Sequence, residues 1–211
     1  MNKTNDRFIL LPSNFSLSSD RLHYKDLLTY IAIRSFNNSI TDKCLPSLET
    51  IALRSGMSKK YVFQSITRLE RSGLIKVERA TKKHVANRYT FKETKYFNQI
   101  PYEIFEQSSL STNQIAMLVA LRRFFNSVTL QLEISKIADI AKILGLTYKT
   151  VYVQYKSLIT AGYIIETERV LSSGIKKTVT KLSDKLNWIY ERTPLNPTHN
   201  YKKQPETIQI K

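Results

Sequence analysis

The chain has 211 residues, enough for one or two domains, and carries 33 Lys and Arg against 17 Asp and Glu, a formal charge of +16. Residues 1–99 hold 18 basic and 8 acidic side chains and residues 100–211 hold 15 and 9, so both halves are basic and the charge is not one tail on a neutral domain. A polyphosphate partner fits this balance, with an acidic membrane or protein as the competing reading.

The single cysteine, Cys44, excludes an intrachain disulfide and a multi-cysteine zinc site, as suits a reducing cytosol. His23, His84 and His199 are scattered without metal-ligand spacing. No apolar run approaches the roughly 20 residues of a membrane-spanning helix. The start MNKTNDRF lacks an apolar signal core. The expectation is a cytoplasmic protein with no membrane partner, no metal and no cofactor.

In chain order, residues 1–16 read as an N-terminal arm. FILLPSNF is apolar enough to pack as a leader, while Lys3 and Arg7 are within reach of a DNA backbone. Residues 17–36 predict a first helix. Ser19 is the expected cap, and Leu22, Leu27, Leu28, Tyr30, Ile31 and Ile33 form its apolar side. Asn37-Asn38 marks its end, and Arg34 suits the helix dipole or a phosphate equally well. Asp20 and Asp26 read as polar surface without a defined partner.

Ser47 caps a short second helix that turns Leu48, Ile51 and Ala52 inward. Gly56 permits the turn, and Ser58 caps a third helix running to about Ser72. Val62, Ile66 and Leu69 fall at i, i+4 and i+7 and share its buried face. Lys59, Lys60, Gln64 and Arg68 fall mostly elsewhere. Gly73 stands where a helix stops. Leu74, Ile75 and Val77 then start a strand, Tyr89 and Phe91 suit its return, and Arg79, Lys82, Lys83, His84 and Arg88 make a basic hairpin tip.

A helix, a turn, a second helix and a basic hairpin resemble the winged helix family. The turn at Gly56, the polar start SKKYV and the run RLERSGLIKVER carry the resemblance. It implies duplex DNA as partner, with the second of these helices in the major groove and the hairpin near phosphates or the minor groove.

Residues 92–101 read as a linker or an interdomain strand, with Tyr96, Phe97 and Ile100 too apolar for a free tether and Pro101 as the boundary. The second half then repeats the first. An offset of 89 sets Ile51-Ala52 on Ile140-Ala141, Gly56 on Gly145, Ser58 on Thr147 and Lys60 on Lys149. It also sets Val62 on Val151, Leu69 on Leu158, Gly73 on Gly162 and Ile75 on Ile164. Helices are expected over 111–125, 134–144 and 147–161, and strands over 163–170 and 176–182 with Ser172-Ser173-Gly174 turning between them. A short closing helix is expected over 183–190, packing Trp188 and Ile189. Residues 191–211 lack periodicity and read as a flexible tail.

The expected fold is therefore mainly α with small β-wings, an α+β protein of two tandem winged helix-turn-helix domains at 17–91 and 102–190. Candidate DNA contacts in the first are Lys59, Lys60, Tyr61, Gln64, Ser65 and Arg68 on the helix, and Lys82, Lys83, His84 and Arg88 on the wing. In the second they are Tyr148, Lys149, Thr150, Tyr152, Gln154 and Lys156, with Arg169, Lys176 and Lys177 on the wing. The bland alternatives are a solvated helix face and a solubilising hairpin. For the second helix, Tyr152, Val153 and Tyr155 also suit a protein interface, including a dimer contact. No catalysis is expected, since GxxxxGKS/T, HExxH and GxSxG are all missing and five glycines leave little for a phosphate-cradling loop.

Two such domains on a basic chain resemble the replication initiators of plasmids and phages. The leader RFILLPSNF and the run DRLHYKDLLTYIAIRSF are similar to the winged helix domains of phage replication proteins. The resemblance implies binding to repeated origin sites, a monomer–dimer switch with a homodimer, and replication proteins as further partners. A transcriptional regulator on an operator and a protein-interaction module remain the alternatives.

Overall fold

The computed structural model describes residues 8–13, 15–38, 41, 43–82, 85–134, 136–170 and 174–189. The expectations for Lys3, Arg7, Lys83, His84, Ser172-Ser173, Tyr190 and the tail 191–211 lie outside the described residues. In chain order the elements are β1 (Phe8–Pro12), α1 (Tyr24–Arg34), α2 (Leu48–Ser55), α3 (Lys59–Arg71), β2 (Ile75–Glu78) and β3 (Arg88–Phe91). There follow β4 (Phe97–Pro101), α4 (Thr112–Leu121), α5 (Ile137–Leu144), α6 (Tyr148–Thr160), β5 (Ile164–Val170) and β6 (Lys176–Leu182). β1 pairs with β4, β2 with β3 and β5 with β6, all antiparallel. The fold is mixed α+β.

The helix-turn-helix forms because local hydrogen bonds stop one helix and start the next. Ser47 Oγ accepts the Thr50 N–H at 3.0 Å and opens α2. Ser58 Oγ accepts the Tyr61 N–H at 3.2 Å and opens α3. Between them Gly56 sits at φ 65°, a left-handed conformation that costs a side chain strain. A Cβ there would also meet Thr112 Oγ1 at 3.0 Å. The second turn uses the same device, with Gly145 at φ 64° facing Ser18.

Several predicted helix limits are corrected: α4 ends at Leu121 and passes into a 3-10 turn over Arg122–Phe124, short of residue 125, and α5 starts at Ile137, not Ile134. α1 starts at Tyr24, not near Leu17, and Ser19 is not its cap. His23 caps it, with Nδ1 accepting the Lys25 N–H at 3.3 Å and Asp26 accepting the His23 N–H at 2.8 Å. Residues 17–21 are turns, and Arg21 at φ 53° takes the chain out of helical geometry just before the cap. Of the closing helix expected over 183–190, the described residues 183–189 form turns and irregular chain. Leu186 and Trp188 are buried while Asn187 and Ile189 are exposed, an alternation of period two that a helix does not produce.

The two halves meet across an approximate two-fold axis. α2 and α5, α3 and α6, and β1 and β4 have equal lengths and lie 89 residues apart. In the β1–β4 pair Phe8 faces Pro101, Leu10 faces Gln99 and Pro12 faces Phe97. The central pair, Leu10 and Gln99, is itself 89 residues apart, so each strand pairs with its own counterpart, as in a symmetric dimer interface. α1 packs on α4 beside this pair, while α3 packs on α1 and α6 on α4. α1 buries Leu27, Leu28, Tyr30, Ile31, Ala32 and Ile33, and α4 buries every residue from Ala116 to Leu121. Helices buried all round have neighbours on every side. The second part of the segment 92–101 is thus strand β4, and residues 8–12 of the expected arm are its partner.

This shared core predicts that residues 1–99 and 100–211 do not fold apart. Separation exposes several fully buried large side chains, each worth about 1.5–3 kcal/mol, against a total stability of about 5–15 kcal/mol. Melting followed by circular dichroism is expected to show one cooperative transition for the whole chain and none for either fragment. A fragment that melts cooperatively would overturn the shared-core account.

Candidate nucleic-acid interface

α3 turns Val62, Ser65, Ile66 and Leu69 inward, at i, i+3, i+4 and i+7. Ser65 is fully buried, so the expectation that it contacts DNA is corrected: it belongs to the buried stripe. Lys59, Lys60, Phe63, Gln64 and Arg71 are exposed on the outer face. Lys59 reaches Glu49 of α2 at 2.5 Å, an exposed pair that leaves the ammonium open to solvent.

Arg68 and Tyr61 are also corrected, because both are turned toward α1. Arg68 Nε donates to Asp26 Oδ2 and its Nη2 to Asp26 Oδ1, both at 2.7 Å, a bidentate pair. Asp26 is fully buried, not surface as its sequence context implied. Tyr61 donates its hydroxyl hydrogen bond to Asp26 Oδ1 at 3.2 Å and lies 3.3 Å from His23 Nδ1. The Arg68 guanidinium lies 5.3 Å from the Tyr61 ring centroid. Burial pushes the Tyr61 hydroxyl pKa well above its ordinary value, and Asp26 pushes it the same way. The hydrogen bond to Asp26 raises that of Arg68, while burial lowers that of His23. The group locks α3 to the core.

On the first wing, Lys82 and Arg88 are exposed. Arg88 faces Glu78 across the strands, with the charges 3.8 Å apart. Arg79 is held back on α3 by Glu70 at 2.5 Å.

α6 presents the same outer positions 89 residues later. Tyr148, Lys149, Tyr152, Val153 and Lys156 are exposed, in the places of Lys59, Lys60, Phe63, Gln64 and Thr67. Tyr148 and Tyr152 stack with centroids 5.5 Å apart and planes 18° from parallel. Tyr155 is buried, which corrects its assignment to a dimer contact. Its hydroxyl donates to Glu166 Oε1 at 3.2 Å, and burial pushes its pKa up to about 12. Thr150 is half-buried and serves the cap, its N–H donating to Thr147 Oγ1 at 3.2 Å. Gln154 is half-buried with a buried Oε1. Lys156 pairs with Glu166 at 3.3 Å and Lys176 with Glu168 at 3.2 Å. Arg169 and Lys177 face each other across β5 and β6, both exposed.

The outer faces of α3 and α6 therefore gather Lys59, Lys60, Gln64, Tyr148, Lys149, Tyr152 and Lys156, with Lys82, Arg88, Arg169, Lys176 and Lys177 on the hairpins. Phe63 and Arg71 were missed from sequence. Their signal was spacing, since Phe63 lies one turn after Lys59 and Arg71 two turns after Gln64. Among the described residues no cluster of His, Cys, Asp and Glu is arranged to hold a metal, and no helix is long and apolar enough to cross a membrane.

A family profile described as a helix-turn-helix domain matches residues 21–75, which span α1, α2 and α3 and reach the first residue of β2. The match supports DNA binding by this part of the chain. No curated protein matches the sequence.

Arg68→Ala would leave a fully buried carboxylate without its counter-charge and is expected to cost about 3–5 kcal/mol in urea unfolding. Asp26→Asn should cost less, because the Arg68 side chain is 27 % exposed and can turn to water. Equal stability of Arg68→Ala and the parent would refute the lock. His23 adds a pH signature. Its folded pKa lies below the ordinary 6.5, so its neutral form is favoured by folding. That contribution is complete above pH 6.5 and is lost as pH falls through the lower folded value. His23→Asn keeps a capping acceptor without this titration, and should flatten the acid side of a plot of stability against pH.

Proposed function

We propose that the protein is a sequence-specific double-stranded DNA-binding protein that reads its site through two winged helices. α3 and α6 enter successive major grooves about one helical turn apart, and the hairpins β2–β3 and β5–β6 hold phosphates. The observation that carries this reading is the helix-turn-helix match over 21–75, whose third helix has an exposed basic and polar face; α6 exposes the same positions, with Lys149 and Lys156 supplying its charge. Lys60 and Lys149 occupy corresponding places near the start of each helix. Gln64 suits an adenine edge, and Lys82, Arg88, Arg169, Lys176 and Lys177 suit the backbone. The two-fold relation of the halves further supports a site whose two arms run in opposite senses, like the operator of a dimeric helix-turn-helix protein.

Within this class the proposed role is a phage- or plasmid-type replication initiator acting at origin sites in the cytoplasm, by binding and not by catalysis. Both reading helices on one basic chain support it. The alternative is a transcriptional repressor. Mapping bound DNA in the native genome separates them: iterated sites at an origin favour the first, a lone promoter operator the second.

With about 6–10 phosphate contacts, affinity is expected to fall by about 10³–10⁵ between 50 and 200 mM salt. A nearly flat response would favour a protein-docking module instead. Gln64→Ala should relax preference at one or two base positions by about 1–3 kcal/mol. Lys82→Ala should weaken all sequences alike.

A further inference from the structure

α3 and α6 expose a large aromatic side chain at the same place, and on α6 Tyr148, also exposed, stacks on it. Phe63 is 60 % exposed, and Tyr152, 89 residues later, is 39 % exposed. Neither belongs to the buried stripe of its helix. Phe63 stands between Lys59 and Thr67 along α3, beside Lys60 and Gln64. Tyr152 stands between Tyr148 and Lys156 along α6, beside Lys149. An apolar ring framed by cations suits a surface that is anionic around an apolar spot.

Duplex DNA offers such a surface in its major groove. Phosphates line the rim, and the C5 methyl of thymine is the apolar group among the standard base edges on the floor. Both aromatics lie in the second turn of their helices, and the early part of a reading helix is what meets base edges. We infer that Phe63 and Tyr152 are specificity-determining residues, each packing on the C5 methyl of a thymine, one in each arm of the site. This rests on the DNA-binding reading above. The arms are not identical, because Gln64 in one is replaced by Val153 in the other and Lys59 by Tyr148.

The test uses the full chain and the duplex it enriches from a random-core duplex library. Thymines in that duplex are replaced singly by deoxyuridine, which keeps every hydrogen-bonding group and removes only the methyl. Replacement at one position in each arm is expected to weaken binding about three- to fivefold, the scale of one buried methyl group. Phe63→Ala should abolish that sensitivity in one arm only and Tyr152→Ala in the other, while Phe63→Leu should retain part of it. Both aromatics are exposed, so melting should be unchanged and a folding defect would be visible separately. Salt-sensitive, sequence-specific binding that ignores deoxyuridine everywhere overturns the thymine contact and leaves the DNA-binding reading intact. The same holds if Phe63→Ala weakens thymine and deoxyuridine duplexes equally and the sensitivity persists. No enrichment of any duplex overturns both.

Discussion

The antiparallel pairing of β1 with β4 is the contact on which the rest of the molecule depends. Its register is centred on residues that correspond to each other, so the hydrogen-bond ladder relates the halves by a two-fold rotation. α1 and α4 are brought together beside it, and their burial on all sides follows. α3 and α6 are then fixed at second hand, each lying on one of these buried helices. A one-residue slip in the ladder would turn Ile9 and Leu11 from the core toward solvent, which is why the register is well specified.

Symmetry of backbone does not extend to the bonds that lock α3 and α6. α3 is fastened to α1 by Arg68 and Tyr61 converging on a buried carboxylate. The matching positions on α6 are Ser157 and Thr150, which offer neither a cation nor a phenol. There the fastening passes to the hairpin, through Tyr155 and Lys156 to Glu166. A buried ion pair resists sliding because any shift strands a charge, whereas the half-exposed contacts of α6 tolerate adjustment. α3 is accordingly the more rigidly held of the two helices.

Much of this was legible in the sequence because the relevant interactions are local. Caps, glycine stops and apolar stripes act within a few residues, and Ser47, Ser58, Gly56 and Val62 announced α2 and α3 with their order. His23 was legible too, since Asp26 three residues later completes a capping box, but Ser19 offered a competing start. The pairing of Asp26 with Arg68 spans 42 positions and leaves no periodic trace. The partnership of β1 and β4 was nearly hidden for another reason. FILLP and FNQIP share only Phe and Pro at their ends, because Asn98 and Gln99 replace apolar residues where the second strand is less buried. Ser65 was misplaced because a small polar side chain fits a buried stripe as well as a surface.

The internal two-fold has a consequence for dosage. A helix-turn-helix protein that acquires its second reading helix by dimerising fills its site, at low concentration, in proportion to the square of the protomer concentration, because assembly and binding are linked by mass action. If α3 and α6 both read DNA as proposed, the partner half is supplied by the same chain, and its local concentration does not change with expression. On that reading, site occupancy would rise in simple proportion to the number of molecules, without a threshold, and a few copies would act with the same geometry as many.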